Sequence, residues 1–231
     1  MKNWTIPKMW EGGQAWIIGG GSSMPRQFGI SEEVIGNVTS KQDPITVYSD
    51  YLSLLHNEHV VGVNMAFMLG NWISVFYFCD SQFYRINKEE IDKFPNLKAT
   101  CINHLPRYLL PGTGNIKRLR RDNRYGLSNN REVICWNFNS GCAAINFAVH
   151  AGVKRILLLG FDMMPNPEGI THWHQGFPLY KKATGPGVFR SFLRTFPKIA
   201  TDAKRMRVEI LNINPDSAIK DFPKVGLKEV I

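Results

Sequence analysis

With 231 residues, 44% hydrophobic and 20% charged, the chain is long enough for a sizeable core and has the composition of an ordinary globular protein. It carries no 18-residue apolar run, and Met1-Lys2-Asn3-Trp4-Thr5-Ile6-Pro7 lacks the apolar segment of a signal peptide, so neither a membrane span nor a secreted product is expected. Cys79, Cys101, Cys135 and Cys142 show no CxxC or zinc-finger spacing and suit free thiols in a reducing cytoplasm, while the formal charge of +9 suits a polyanionic partner or simple solubility.

In chain order, Trp16-Ile17-Ile18 runs into Gly19-Gly20-Gly21-Ser22-Ser23-Met24. This reads as a buried strand ending in a tight turn, where glycines let the backbone approach an anion facing a helix N-terminus. It is the expected first strand of a nucleotide-binding α/β fold. Residues 25–58 are polar and irregular, with a short strand expected at 45–48. Val60-Val61-Gly62-Val63 is a second strand closed by Asn64, and Met65 to Leu69 reads as a helical turn stopped by Gly70. Residues 73–79 form a third strand ending at Asp80-Ser81. A helix capped by Asn87 follows over 87–94, with Pro95 as its stop, and then a fourth strand over 97–102.

Residues 103–132 hold Pro106, Pro111, three glycines and a basic cluster, Lys117, Arg118, Arg120, Arg121, Arg124 and Arg131, opposed only by Asp122. Such a stretch reads as a basic insertion or lid able to hold phosphates of a nucleotide or of nucleic acid, or as a solvated loop. Ser140 is the expected N-cap and Gly152 the C′ residue of a buried helix. Leu157-Leu158-Leu159 belongs to a central parallel strand ending in Gly160-Phe161-Asp162. A helix over 188–206, broken near Pro197, a strand over 208–211 and a short helix from Asp216 complete the chain. The alternation predicts a Rossmann-like, doubly wound, mostly parallel α/β sheet in a single domain, 1–231.

In such sheets ligands bind beyond the carboxyl ends of the strands. The polar residues expected there are Gly19 to Ser23, Asn64, Asp80, Ser81, Asp162 and Asn212 to Asn214, with Ser140-Gly141 opening on the same side. A nicotinamide dinucleotide is disfavoured, because Met24 stands where the third glycine belongs and Asn64 replaces the ribose-binding carboxylate. GxxxxGK and GxSxG are both absent, which argues against P-loop and α/β-hydrolase chemistry. His172-Trp173-His174 offers either a two-histidine metal site or, more simply, a general base.

Gly19-Gly20-Gly21-Ser22-Ser23-Met24, Val63-Asn64, Asn139-Ser140-Gly141, Leu159-Gly160-Phe161-Asp162 and Asn214-Pro215-Asp216-Ser217-Ala218 occur in that order. Together they resemble a superfamily of bacterial CMP-sialic-acid-dependent sialyltransferases, archaeal 6-hydroxymethylpterin diphosphokinase-like proteins and small phage-encoded relatives. Gly21-Ser22-Ser23 stands where the sialyltransferases usually read Gly-Pro-Ser. The resemblance implies a nucleotide site built from Gly19, Gly21, Ser22, Ser23, Asn64, Ser140 and Gly141, to which position adds Gly20 and Asp80. It places Asp162 at the site mouth and the catalytic histidine at His172 or His174. The implied activity is a metal-independent transfer from a nucleotide-activated sugar of the CMP or UDP type, with Lys117, Arg118, Arg120, Arg121 and Arg124 available to phosphates or to a polyanionic acceptor such as modified DNA. The alternatives are a Mg²⁺-dependent diphosphokinase using Asp80 and Asp162, and a non-catalytic nucleic-acid-binding phage protein. The expected location is cytoplasmic, or the host cytoplasm for a phage product.

Overall fold

The computed structural model describes residues 4–103, 116–177 and 185–231. Strand β1 (Gln14–Ile18) leads through helices α1 (Ser23–Gln27), α2 (Glu32–Thr39) and α3 (Tyr48–Tyr51) to β2 (Val60–Val63) and β3 (Val75–Phe78). Helices α4 (Ser81–Ile86) and α5 (Lys88–Lys93) precede β4 (Leu97–Thr100) and β5 (Ile116–Arg118). Strands β6 (Arg120–Asp122) and β7 (Val133–Cys135) pair with each other, and α6 (Ser140–His150), β8 (Arg155–Leu159), α7 (Pro186–Leu193), α8 (Phe196–Met206) and β9 (Glu209–Asn212) follow.

Seven strands form one parallel sheet in the order β5-β4-β3-β2-β1-β8-β9. Its strands are short and apolar because both faces are covered. Side chains alternate, so Ala15, Ile17, Val61, Val63, Ile156 and Leu158 face α6 and α8 through Ala144, Phe147 and Ile199. Trp16, Ile18, Phe76, Phe78, Leu157 and Leu159 face the opposite layer through Ile35, Val38, Tyr48, Phe83 and Ile91. Chain order runs outward from β1 to β5 on one side and resumes at β8 on the other. The topological switch point therefore lies between β1 and β8, with Ile18 opposite Leu159 where both strands end.

Several local expectations change. Residues 25–58 are not irregular: they carry α1, α2 and α3, with Ser31 capping α2. The stretch 45–48 is a 3-10 turn running into α3, entered from Pro44, rather than a strand. The last helical segment breaks at Arg194–Thr195, and Pro197 instead sits in the first turn of α8, where a missing N–H costs nothing. No helix starts at Asp216, because the Asn214 side chain accepts the Asp216 N–H and closes a turn there. Within 103–132 the described residues 116–132 are not a loose insertion: β5 extends the main sheet and β6 pairs with β7. Pro106, Pro111 and two of the three glycines lie outside the described residues. Among the described residues no helix is long and apolar enough to cross a membrane.

Candidate active site

A cavity of about 590 Å³ opens over the carboxyl ends of β1, β2, β3 and β8 and the start of α6. Its lining brings together Gly19, Gly20, Gly21, Asn64, Asp80, Ser140, Gly141, Asp162, His172 and His174, ten of the residues expected from the sequence. Ser22 and Ser23 are not on its wall: Ser22 is buried, and the Ser23 hydroxyl donates to Asp162 Oδ1.

The glycine turn is shaped by protein packing. A Cβ on Gly21 would lie 2.5 Å from Asp162 Cγ, one on Gly19 would lie 2.7 Å from the Gly160 carbonyl, and one on Gly20 would lie 2.9 Å from His172 Cδ2. Asp162 fills the space a side chain at Gly21 would need. Its Oδ2 accepts the Ser23 N–H at 2.9 Å, and its Oδ1 accepts from Ser23 Oγ at 2.5 Å and Asn214 Nδ2 at 2.8 Å. A buried carboxylate with three donors is satisfied by protein. Asp162 thus ties β8, α1 and the turn after β9 together, and the five-residue α1 has its N-terminus already closed.

Helix α6 presents a different start. Asn139, not Ser140, is its N-cap: Asn139 Oδ1 accepts the N–H groups of Gly141 at 2.7 Å and Cys142 at 3.2 Å. The extended φ of −149° at Asn139 suits a cap. Ser140 then occupies the first helical position, on the cavity wall, and its hydroxyl has no hydrogen bond among the described residues. Gly141 is required because a Cβ there would meet the Phe161 ring at 2.8 Å. Across the cavity Asn64 adopts a left-handed φ of 51°, and its buried Oδ1 has no partner among the described residues. Asp80 caps α4 through Oδ1, which accepts the Gln82 and Phe83 N–H groups.

The histidine loop is pinned to β1. Trp173 Nε1 donates to the Gly19 carbonyl at 2.8 Å, the Trp173 N–H donates to the Gly20 carbonyl, and Gly21 bridges His172. The two imidazoles lie 5.0 Å apart at 36°. His172 is half-buried, and its Nδ1 is 2.7 Å from Thr171 Oγ1, which leaves Nε2 as the ring atom open to a ligand. Burial lowers its pKa from the ordinary value, with Asp162 opposing. His174 is fully buried and pushed lower, first by desolvation and then by His172. Desolvation of both rings favours their neutral forms.

The basic cluster disperses. Arg121 points inward, donating to the carbonyls of Cys101 and Cys79 at 3.0 Å each, with its guanidinium 3.9 Å from the Trp136 ring centre. Arg118 holds the carbonyls of Ile102 and Asn103, Arg131 holds that of Ile6, and Arg124 pairs with Asp122. Arg120 is exposed and Lys117 half-buried at the sheet edge. Among the described residues no Lys or Arg lines the cavity, so the expected basic lid over the phosphates is not formed by them. Beside Arg121, Cys79 and Cys101 place their sulfurs 3.3 Å apart; the hydrogen bond from Cys79, together with Arg121, lowers Cys101 to about 7, and burial raises Cys79.

Sequence reasoning missed the apolar half of the wall, Trp136, Phe138, Phe161, Phe189 and Phe192, together with Asn139 and Thr171. The i, i+3 spacing of Phe189 and Phe192 and the Trp136-x-Phe138 pair were the available signals. Among the described residues no cluster of three or more His, Cys, Asp or Glu side chains is arranged to hold a metal ion.

No protein-family model and no curated protein sequence matches the chain. Among solved structures the chain is similar to the sialyltransferase CstII from Campylobacter jejuni. The structure in complex with the substrate analogue cytidine-5'-monophosphate is 12% identical, with 92% of this chain and 84% of that chain covered and a TM-score of 0.46. The complex with CMP-3FNeuAc is 13% identical, with 92% and 86% covered and a TM-score of 0.47.

Proposed function

We propose that this cavity takes a nucleotide-activated sugar and transfers the sugar to an acceptor hydroxyl, with His172 as the general base. The observation that carries the reading is the convergence, at the β1/β8 switch point, of the α6 N-terminus, a buried Asn64 Oδ1 with no partner among the described residues, and the His172 imidazole held through Nδ1. The donor phosphate belongs at Ser140-Gly141, where the positive end of an 11-residue helix meets the cavity. Asn64 orients the nucleotide, and the Gly19–Gly21 backbone forms the wall behind it.

His172 Nε2 accepts the proton of the acceptor hydroxyl as its oxygen attacks the anomeric carbon. The nucleotide leaves with its phosphate charge facing the Ser140 hydroxyl and the positive end of the α6 dipole. Thr171 fixes the tautomer by accepting from Nδ1. His174 and Asp162 are positioning residues: His174 packs the base against Gly20, and Asp162 locks the turn that supports it. CMP-type donors, with one phosphate, suit a wall whose described residues supply no cation better than UDP-type donors do. The diphosphokinase alternative asks Asp80 and Asp162 to hold Mg²⁺, yet the Asp162 oxygens are engaged by Ser23 and Asn214 and Asp80 Oδ1 caps α4.

The test is calorimetric titration with CMP, UMP, AMP and GMP and their sugar conjugates, with donor hydrolysis followed for wild type and His172→Ala. Saturable binding of one nucleotide, with hydrolysis lost in the variant, is expected. A protein that binds none of them overturns the reading.

A further inference from the structure

The apolar half of the cavity continues onto the surface as a shelf of aromatic rings. Phe138 and Tyr125 are both 46% exposed, their rings meet edge to face at 6.1 Å, and Phe138 packs on Trp136 at 4.6 Å. Trp136 and Phe138 line the cavity, and Phe189 and Phe192 of α7 line it as well.

The shelf is held in a costly backbone conformation. Asn137 and Phe138 have consecutive left-handed φ values of 55° and 54°, a region that bulky side chains rarely occupy. The fully buried Asn137 side chain enforces it, accepting the Gly126 N–H at 2.8 Å and donating to the carbonyls of Gly126 and Cys135. One buried amide therefore fixes both the strained Phe138 and the loop that carries Tyr125. The same turn sets Phe138 partly on the cavity wall and partly in solvent.

Cations surround the shelf. Arg121 sits against Trp136. Arg124 precedes Tyr125, and its side chain is 78% exposed even while paired with Asp122, a partner a phosphate would have to displace or share. Lys198 lies against Gly126, and with Arg205 it pairs with the buried Asp202, whose Oδ2 accepts the Leu127 N–H. Arg190 and Arg194 are exposed on α7 and just beyond it, near the cavity-lining phenylalanines. Exposed aromatic rings interleaved with cations match stacked bases on a phosphate backbone.

We infer that this shelf, the acceptor side of the proposed site, binds single-stranded nucleic acid, with one base stacked on Phe138 and Tyr125 and flanking phosphates on Arg124 and Lys198. The inference rests on the donor reading for its place in catalysis, but its binding chemistry is independent of it.

Fluorescence anisotropy with a labelled 12-nucleotide oligothymidylate, single-stranded and as a duplex with oligoadenylate, tests it alongside calorimetry with the mononucleotide that wild type binds. The single strand is expected to bind more tightly than the duplex and to weaken with salt. Phe138→Ala and Tyr125→Ala should each cost roughly 10-fold in oligonucleotide affinity, and Tyr125→Ala, which lies off the cavity wall, should leave the mononucleotide affinity and the thermal midpoint in place. Phe138→Leu, which keeps the apolar bulk without a ring, should lose nearly as much oligonucleotide affinity as the alanine. Equal binding of single strand and duplex, affinity indifferent to both ring deletions, or a parallel loss of mononucleotide affinity in Tyr125→Ala overturns the inference. Phe138-dependent oligonucleotide binding by a protein that binds no mononucleotide supports the shelf and sinks the donor reading instead. Mononucleotide binding without oligonucleotide binding does the reverse.

Discussion

Helices α1 and α6 both begin on a serine at the rim of the cavity, but their N-termini are closed by different chemistry. The α1 start is met by the carboxylate of Asp162, which takes the Ser23 N–H and hydroxyl and cancels the positive end of the helix. The α6 start is met by the carboxamide of Asn139, which satisfies two N–H groups and leaves the dipole uncompensated. Both helices are capped, yet only α1 has a carboxylate at its start, and the neutral cap of α6 is what the proposed phosphate site relies on. A glycine-serine turn after a strand is therefore an ambiguous signal: the identity of the capping group decides whether it serves a phosphate or the fold.

The largest test of this division is at the base that serves the open side. His172→Ala is expected to lower transfer or donor hydrolysis by about 10²- to 10⁴-fold with nucleotide affinity unchanged, as read by steady-state rates beside calorimetry. Rates within 10-fold of wild type would remove His172 from the mechanism. On the closed side, Asp162→Ala strips partners from Ser23 and Asn214 and is expected to cost about 3 kcal/mol. At roughly 2–4 °C per kcal/mol for a chain of this size, the thermal midpoint falls by about 6–12 °C.

Asn139→Asp makes the two helix starts alike. A second carboxylate cap should hold or slightly raise the thermal midpoint, yet repel the donor phosphate and weaken nucleotide binding by about 10-fold, roughly 1.4 kcal/mol. Opposite signs in the two measurements separate a binding helix end from a merely structural one. Parallel signs would place the phosphate elsewhere.

The smallest effect is on pH. Burial lowers the folded pKa values of His172, His174 and His150, so the unfolded chain binds more protons than the folded one in mild acid. Their contribution is full above about pH 6.5 and is lost as pH falls from there toward the depressed folded values. Urea unfolding should show a falling midpoint over that window, and the acid limb of the rate profile should lie below the usual imidazole value. His172→Gln should reduce the stability slope as it removes the acid limb.

Much of this architecture was legible in the chain. Apolar runs located β1, β2, β3, β4, β8 and β9, and the residues following them placed the Gly19–Gly21 turn, Asn64, Asp80 and Asp162 on the wall, though not Ser22 or Ser23. What escaped depended on long-range partners. Nothing local in Gly19-Gly20-Gly21 distinguishes room for a phosphate from room for Asp162, 141 positions after Gly21, and the two histidines. The helix over 32–39 was obscured by its polar face and by Gly36, and it forms because Ile35 and Val38 bury against the sheet. The aromatic shelf was hidden because Tyr125 and Trp136-x-Phe138 come together only when β6 pairs with β7 and Asn137 reaches Gly126.

The bond from Trp173 Nε1 to the Gly19 carbonyl spans 154 positions of chain. Strand β1 thus ends in a turn that stays unfinished until the later β8 strand and the histidine loop have been made. Contacts of such sequence separation slow folding, and during synthesis they leave one side of β1 as an open strand edge. The cavity wall is accordingly completed late, and a ribosome-bound fragment stopped before residue 172 would have six of the seven strands of the main sheet and lack the proposed base.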